Sequence, residues 1–217
     1  MKKGDFVKIE YTAKVKETGK IFDTTKEDVA KKEELFNPKI NYGPVLFIIG
    51  SEKTVKGLDE ELLKMKLGEK KVVEIPPEKG FGKRNPEMLK LLPLSEFKKQ
   101  NITPYPGMIL SMEGINCRVI SVNSGRVRVD FKHPLAGKTL VYDLKISGKL
   151  EKSEEKIEAV CEYYNCEYKK VVIKERKVDI LIKNEIDEKN KKLITDDIFD
   201  NMNFDKIEFS QIFERKN

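Results

Sequence analysis

The chain has 217 residues, of which 39% are hydrophobic and 37% are charged, and its formal net charge is +6. This apolar content is enough for the cores of two small domains, or of one domain with additions. No apolar run reaches the roughly 18 residues that a membrane helix needs, and a strand pattern begins directly after residues 1–5, where a secretory signal would have an apolar segment. We therefore expect a cytoplasmic protein with no membrane partner.

The charge is unevenly divided along the chain. Residues 1–150 carry 29 basic and 20 acidic side chains, a net +9, whereas residues 151–217 carry 14 and 17, a net −3. A basic first part would fit a nucleic-acid or ribosome partner. Its lysines, however, are spread singly among glutamates, and no basic tract contains stacking aromatics, which favours a solvated surface. A weak electrostatic contact with ribosomes remains open.

The three cysteines are Cys117, Cys161 and Cys166, and His133 is the single histidine. An odd number of cysteines spread over two regions is typical of a reducing compartment. The spacing of Cys161 and Cys166 matches no usual zinc motif, so structural or free thiols are favoured over a metal site. No metal and no cofactor is predicted.

The first part of the chain alternates between strand patterns and polar turns. Phe6–Tyr11 alternates as a half-buried strand, residues 16–20 form a turn, and Ile21–Asp23 returns to the sheet. A polar excursion over residues 24–41 follows, and it is partly helical around residues 28–35.

An apolar strand and a short helix come next. The strand Val45–Ile49 ends at Gly50, and Leu58–Met65 has helical spacing. We expect Gly57 to let the chain turn into this helix. A further strand, Lys70–Ile75, is ended by a pair of prolines.

Residues 85–131 separate this strand from the next strand pattern, Lys138–Ile146. The first part of the segment, residues 86–97, is more apolar than a loop requires. Three strand patterns follow, with Asn123–Gly125 as a turn. These patterns are Met108–Met112, Cys117–Val122 and Arg126–Phe131.

Residues 151–217 are predicted to form a separate α+β unit. The predicted elements are a helix after Ser153, a hairpin of Tyr168–Ile173 and Val178–Ile182, a helix Asp196–Met202 capped by Thr195, and a closing strand Ile207–Phe213. A unit of this size buries only a modest core. We therefore favour a unit that joins two chains in a homodimer over a monomeric appendage, and we expect a chain truncated after Leu150 to fold as a monomer.

Several short segments have the order and spacing of one apolar pocket. They are Tyr11, Phe22-Asp23, Gly50–Glu60, Phe81-Gly82 and Val141–Asp143. Together they resemble FKBP-type peptidyl-prolyl cis-trans isomerases of the SlyD-like kind, over about the first 150 residues. The resemblance implies an α+β fold in which an FKBP-like antiparallel sheet wraps on a short helix. Residues 1–84 and 132–150 would form this domain, and residues 85–131 would be a small β-rich domain inserted in its flap.

The resemblance also implies the residues of the prolyl site. Asp23 would be the polar group at its edge, and the backbone N–H of Val55 would bind a substrate carbonyl. The side chains that would line the pocket are Tyr11, Phe22, Val55, Leu58, Phe81 and Tyr142. Any one of these apolar residues would, alone, be ordinary sheet core; the agreement of six positions with Gly50 and Gly57 favours the pocket.

The chemistry of such a site requires no nucleophile, metal or cofactor. Rotation about a peptide bond meets a barrier of roughly 18–20 kcal/mol because resonance stabilises the planar form. The twisted amide has lost much of its charge separation, so a dry apolar cavity favours it over the planar ground state. His133 is therefore interpreted as a packing or hydrogen-bonding residue of its loop, and not as an acid or base.

In SlyD-like proteins the corresponding insert is a small chaperone domain beside the pocket. By this resemblance, flexible apolar side chains of the insert would bind unfolded clients, although part of them would fill a small core. They are Met88, Leu91, Leu92, Leu94, Met108, Leu110 and Met112. The function predicted is thus a prolyl isomerase and folding chaperone for unfolded or nascent polypeptides. A non-catalytic holdase is the alternative, and an RNA- or ribosome-binding adaptor is a third hypothesis.

Overall fold

A computed structural model describes residues 1–83, 88–112, 115–131 and 133–211. In chain order its strands and helices are β1 (Phe6–Val15), β2 (Ile21–Thr24), α1 (Glu27–Lys32), β3 (Val45–Ile48), α2 (Lys56–Lys64), β4 (Lys70–Ile75), β5 (Leu89–Pro93), α3 (Leu94–Lys99), β6 (Ile109–Met112), β7 (Ile115–Asn123), β8 (Arg126–Asp130), β9 (Leu140–Leu150), α4 (Ser153–Tyr163), β10 (Tyr168–Lys174), β11 (Lys177–Ile182), α5 (Glu188–Asn201) and β12 (Lys206–Gln211).

The first sheet has five antiparallel strands in the order β2-β1-β9-β4, and β3 also pairs with β1. Helix α2 packs on one face of this sheet, where Leu58, Leu62 and Met65 are buried among strand residues such as Val7 and Ile75. The predicted α+β class, an antiparallel sheet wrapped on a short helix, is confirmed.

Gly57 has a different role from the one predicted. The helix already begins at Lys56, so Gly57 lies inside it and not at a turn before it. A Cβ atom at this position would lie 2.6 Å from Cγ2 of Ile75 and 3.1 Å from Cβ of Lys79. Glycine is therefore needed because α2 approaches β4 closely.

The insert forms a second sheet with its own core. Its four antiparallel strands have the order β5-β8-β7-β6, and the predicted turn is present, with positive φ at Ser124 and Gly125. The core cluster consists of Phe97, Cys117, Val119, Val127 and Val129. The predicted first residues of the insert, 85–87, lie outside the described residues.

The C-terminal residues form a three-stranded sheet with two helices. Strands β10 and β11 form the predicted antiparallel hairpin, and β12 pairs with β11 in parallel. The described part of the predicted closing strand ends at Gln211, and residues 212 and 213 lie outside the described residues.

The prediction that Thr195 caps a helix is wrong. Helix α5 begins at Glu188, and the side chain of Asp187 caps it by accepting a hydrogen bond of 2.7 Å from the backbone N–H of Asn190. Thr195 lies in the middle of this helix, and its hydroxyl donates to the carbonyl of Lys191 at 2.8 Å. A threonine before two aspartates is a good cap pattern, but a hydroxyl can equally bond to the preceding turn of a helix.

The C-terminal unit shares its core with the first sheet. Phe6, Leu46 and Ile48 belong to the same buried cluster as helix residues such as Ile157 and Val160. Because side chains alternate along a strand, Leu46 and Ile48 face this cluster while Val45 and Phe47 pack on the α2 side. The unit is therefore packed directly on the first sheet.

None of the helices in the described ranges is both long and apolar enough to cross a membrane.

Candidate prolyl-binding site

The seven side chains predicted for the prolyl site line one open cavity of about 800 Å³. They come from β1, β2, the segment before and within α2, the loop after β4, and β9. Residues more than 120 positions apart in sequence thus meet at one end of the first sheet. The cavity residues predicted from the sequence are Tyr11, Phe22, Asp23, Val55, Leu58, Phe81 and Tyr142.

Three aromatic rings form one wall of this cavity. The centroids of Phe22 and Tyr142 are 6.1 Å apart with nearly perpendicular planes, and those of Tyr11 and Tyr142 are 5.8 Å apart and tilted. Tilted and edge-to-face pairs of this kind are favourable ring arrangements. Tyr142 contacts both of the other rings and is buried, with 5% of its surface exposed.

Asp23 lies at the edge of the cavity and is exposed, and it is hydrogen-bonded to Tyr11, one of the three rings of the wall. The Tyr11 hydroxyl donates to Oδ2 of Asp23 at 2.7 Å. Burial, then the charge of Asp23 and its hydrogen bond, raise the pKa of Tyr11 above its ordinary value of 10.0, and burial followed by the Asp23 charge does the same for the pKa of Tyr142. Both phenols therefore stay neutral, and the wall presents no negative charge apart from Asp23.

The loop between β3 and α2 carries the predicted donor, the N–H of Val55. The buried carboxylate of Asp59 accepts the backbone N–H of Gly50 at 2.7 Å and that of Glu52 at 3.4 Å, which ties this loop to the helix. Val55 is the N-cap residue of α2, and the described residues provide no hydrogen-bond acceptor for its amide. The amide is thus available to a substrate carbonyl.

Phe47 and His133 line the cavity but were not predicted to do so, whereas Lys53 lies in the predicted pocket segment Gly50–Glu60 but was assigned no role. Phe47 lines it from the α2-facing side of β3, and alternation along that strand is the signal that could have found it. His133 lines it from the loop before β9 and stacks on Phe81, with centroids 4.0 Å apart and planes nearly parallel. Lys53 also lines it, and no local pattern indicates its partners, because they lie in the C-terminal unit.

The apolar residues of the insert that were predicted to bind clients are divided between its surface and the margin of its core. Of the predicted client-binding residues, Met88 and Leu91 are exposed, whereas the other five are partly buried against the insert core. Those five are Leu92, Leu94, Met108, Leu110 and Met112. Further exposed apolar side chains of the insert are Tyr105, Ile109 and Ile120.

Comparison with known proteins identifies both parts of this arrangement. A family model described as FKBP-type peptidyl-prolyl cis-trans isomerase matches residues 1–99, and a model described as the IF domain of FKBP26 matches residues 90–135. The second match includes β6, β7 and β8 and all of β5 except Leu89.

Two relatives named as peptidyl-prolyl cis-trans isomerases match more than half of this chain. The short-type peptidyl-prolyl cis-trans isomerase of Methanocaldococcus jannaschii is 38% identical over 146 residues, which are 67% of this chain and 92% of that protein. The FKBP-type isomerase SlyD of Helicobacter pylori is 31% identical over 128 residues, 57% of this chain and 69% of that protein. Among solved structures, the N-terminal domain of FKBP42 from Arabidopsis thaliana aligns with 18% identity and a TM-score of 0.36, over 70% of this chain and 76% of that one.

The M. jannaschii relative is matched over 92% of its length, and the family model that matches residues 1–99 includes six of the seven predicted cavity residues. The chain therefore belongs to the FKBP-type peptidyl-prolyl cis-trans isomerases, in the SlyD-like branch of that family.

Proposed function

We propose that this protein catalyses cis-trans isomerisation of X-Pro bonds in unfolded or nascent polypeptides of the cytoplasm, and that its insert binds these clients as a chaperone. The observation that carries the proposal is the cavity in which all seven predicted residues converge. Free, buried thiols at all three cysteines support a reducing compartment.

The cavity acts on the prolyl bond by its polarity and by one fixed donor. The rings of Phe22, Tyr142 and Phe81 surround the prolyl side chain and exclude water, which favours the less polar twisted amide. The Val55 amide holds a carbonyl next to the bond, so that the rotation takes place in a fixed frame. The Tyr11 hydroxyl is occupied by Asp23, which keeps the wall rigid.

No step of this reaction requires a proton transfer, and the titratable groups are arranged accordingly. The pKa of Tyr11 and that of Tyr142 are raised, so neither phenol ionises near neutral pH. His133 stacks on Phe81, and its Nδ1 accepts the backbone N–H of Leu135 at 3.2 Å. His133 thus shapes the loop that closes the cavity.

The insert is proposed to hold a client next to this cavity. On its outer face, exposed apolar residues stand beside arginines, because Leu91 is paired with Arg128 across β5 and β8, and Ile109 with Arg118 across β6 and β7. A second cavity of about 330 Å³, lined by Ile120 and Arg118, adjoins the prolyl cavity at His133 and Pro134. A client held on the insert would therefore be close to the catalytic cavity, which raises its local concentration there.

We also propose that the C-terminal unit joins two chains in a homodimer. The three-stranded sheet has β10 and β12 at its two edges, and Ile207 and Phe209 on β12 are only partly buried. Unpaired edges with apolar side chains are prone to pair with a second chain. Light scattering at micromolar concentration tests this, and a monomeric mass would refute it.

The isomerase proposal is tested by refolding a protein whose slow phase is limited by a prolyl bond. We expect the rate constant of the slow phase to rise in proportion to the concentration of this protein, with an unchanged yield. The holdase alternative predicts a slower or lower recovery of the native state instead. A slow phase that is independent of the added protein would refute catalysis.

A further inference from the structure

A narrow groove continues from the prolyl cavity along strand β3. A small cavity of about 30 Å³ shares Phe47 and Lys53 with the prolyl cavity. It shares Leu46 and Tyr163 with a larger cavity of about 310 Å³. The three cavities therefore follow one another without a break in their lining residues.

The floor of this groove is an edge strand. All four residues of β3 line its two cavities, and in the described residues β1 is the only strand that pairs with β3. The amide of Ile49 donates to the carbonyl of Asp5 at 3.0 Å, and in an antiparallel register the hydrogen-bonded pairs recur every second residue. Phe47 and Val45 are therefore bonded to β1, and the amide and carbonyl of Leu46 are directed away from it.

The walls of the groove combine exposed apolar residues with charged ones such as Lys39 and Glu162. Tyr163, at the end of α4, is 51% exposed, and Ile40, in the loop before β3, is 53% exposed. Pro44 and the side chain of Ala159 complete the apolar lining of the larger cavity. Tyr163 and Ala159 belong to the C-terminal unit, so the groove exists only where that unit is packed on the sheet.

From these features we infer that the groove binds the segment of the client that is adjacent to the isomerised proline, as an extended strand added to β3. The inference rests on the proposed isomerase function. Backbone pairing suits clients of any sequence, because every residue other than proline offers the same N–H and C=O groups. The four residues of β3 correspond to about 13 Å of extended chain, so three or four client residues would be held. Their apolar side chains would contact Tyr163 and Ile40.

The first experiment compares a tetrapeptide that contains one X-Pro bond with peptides extended by four valine or leucine residues on either side of it. We expect extension on one side to raise kcat/KM by about tenfold, equal to about 1.4 kcal/mol of additional binding in the transition state. The double variant Ile40→Glu with Tyr163→Glu is expected to lose this gain and to keep wild-type activity on the tetrapeptide. The variant Leu67→Glu, which changes an equally exposed apolar residue outside these cavities, serves as the matched control and should keep the gain.

The second experiment tests the backbone pairing directly. Single N-methyl groups are placed on successive amides of the extended peptide, and affinity is measured by fluorescence anisotropy. A strand added to β3 requires that methylation at alternate positions weakens binding by tenfold or more, while the positions between them tolerate it. Losses without this alternation would overturn the inference, and so would a gain from extension that survives the double variant at residues 40 and 163.

These results separate the groove from the proposed function. If wild-type protein does not accelerate isomerisation of the tetrapeptide, the isomerase proposal fails, whereas the anisotropy measurement still decides whether the groove binds an extended chain. If the tetrapeptide is turned over and extension brings no gain, the groove proposal alone fails. The change Ile109→Glu, which introduces a charge on the insert, should leave the gain of these short peptides intact, and loss of the gain in this variant would assign the binding to the insert instead.

Discussion

Lys53 of the prolyl cavity is hydrogen-bonded to Asp197 of helix α5, 144 positions away in the sequence. The Tyr164 hydroxyl joins both, at 2.7 Å from Nζ of Lys53 and 2.8 Å from Oδ2 of Asp197. Although partial burial opposes protonation, the hydrogen bonds to Asp197 and Tyr164 raise the pKa of Lys53, so the ion pair persists at neutral pH. The C-terminal unit thus holds the loop that leads to Val55.

Replacing Asp197 by alanine is expected to loosen this loop. The carboxylate is buried, so its loss leaves the Tyr164 hydroxyl without its acceptor and Lys53 without its countercharge, and we expect the free energy of unfolding to fall by about 1–3 kcal/mol. We expect kcat/KM on a tetrapeptide to fall about three- to tenfold, which corresponds to roughly 0.7–1.4 kcal/mol in the barrier. Urea unfolding and a tetrapeptide assay measure the two effects. Asp196→Ala, on the exposed side of the same helix, is the control, and unchanged turnover in Asp197→Ala would show that the loop does not depend on the C-terminal unit.

Substitutions in the ring wall are expected to reduce turnover, whereas a substitution at an exposed position of the sheet is not. Phe22→Ala removes one member of the perpendicular pair with Tyr142 and opens the cavity to water, so we expect more than a tenfold decrease in kcat/KM, about 1.4 kcal/mol or more in the barrier. Asp23→Ala should have a smaller effect, because Asp23 orients Tyr11 and transfers no proton. Val72→Ala, an exposed position of β4, is the control. A folded Phe22→Ala variant with full activity would remove Phe22 from the site.

The insert should separate activity on peptides from activity on proteins. When residues 85–131 are replaced by a short flap, we expect activity on a tetrapeptide to remain nearly unchanged, because the insert has its own core. Catalysis of refolding of an unfolded protein should decrease about tenfold or more, because the client is no longer concentrated beside the cavity. Both activities are measured on the same preparation. Equal losses in the two assays would refute this division.

Truncation after Leu150 is now expected to destabilise the remaining domain, in contrast to the folded monomer expected from the sequence. Phe6, Leu46 and Ile48 would lose their covering residues, and exposing a side chain of this size costs about 1.5–3 kcal/mol. Such losses are large against typical total stabilities of about 5–15 kcal/mol. Thermal unfolding measures the change in Tm. Leu46→Thr and Ile48→Thr should raise the Tm of the truncated chain and lower the Tm of the full-length one. An unchanged Tm on truncation would contradict the shared core.

The single histidine allows a direct test of the closing loop by NMR titration. Burial lowers the pKa of His133 below its ordinary value of 6.5. The unfolded chain therefore binds a proton at higher pH than the folded one, so the free energy of unfolding should fall as the pH is lowered through about 6.5 and should not depend on His133 above about pH 7.5. His133→Gln should lack this dependence. A titration midpoint above 6.5 would contradict the stacked, partly desolvated position of the ring.

Local patterns predicted most of the elements correctly. The bounds of β4, Lys70–Ile75, are those predicted, because alternation and the following prolines are both local signals. The turn at residues 123–125 also formed as predicted, because glycine and its neighbour supply the positive φ that a two-residue hairpin requires. Thr195 was misread because helix α5 had already begun at Glu188, and its polar first turns hid the apolar periodicity.

The sequence by itself determined most of the elements and their order, since strand periodicity and turn signals are properties of the chain. Its resemblance to FKBP-type isomerases implied seven of the residues that line the prolyl cavity. Only the tertiary structure decided which face of the first sheet is covered by the C-terminal unit. Alternation showed that Leu46 and Ile48 share one face of β3, but not that this face is buried by a unit more than a hundred residues later. The same holds for Lys53 and Asp197, because a charged residue on a loop carries no local sign of the partner that folding brings to it.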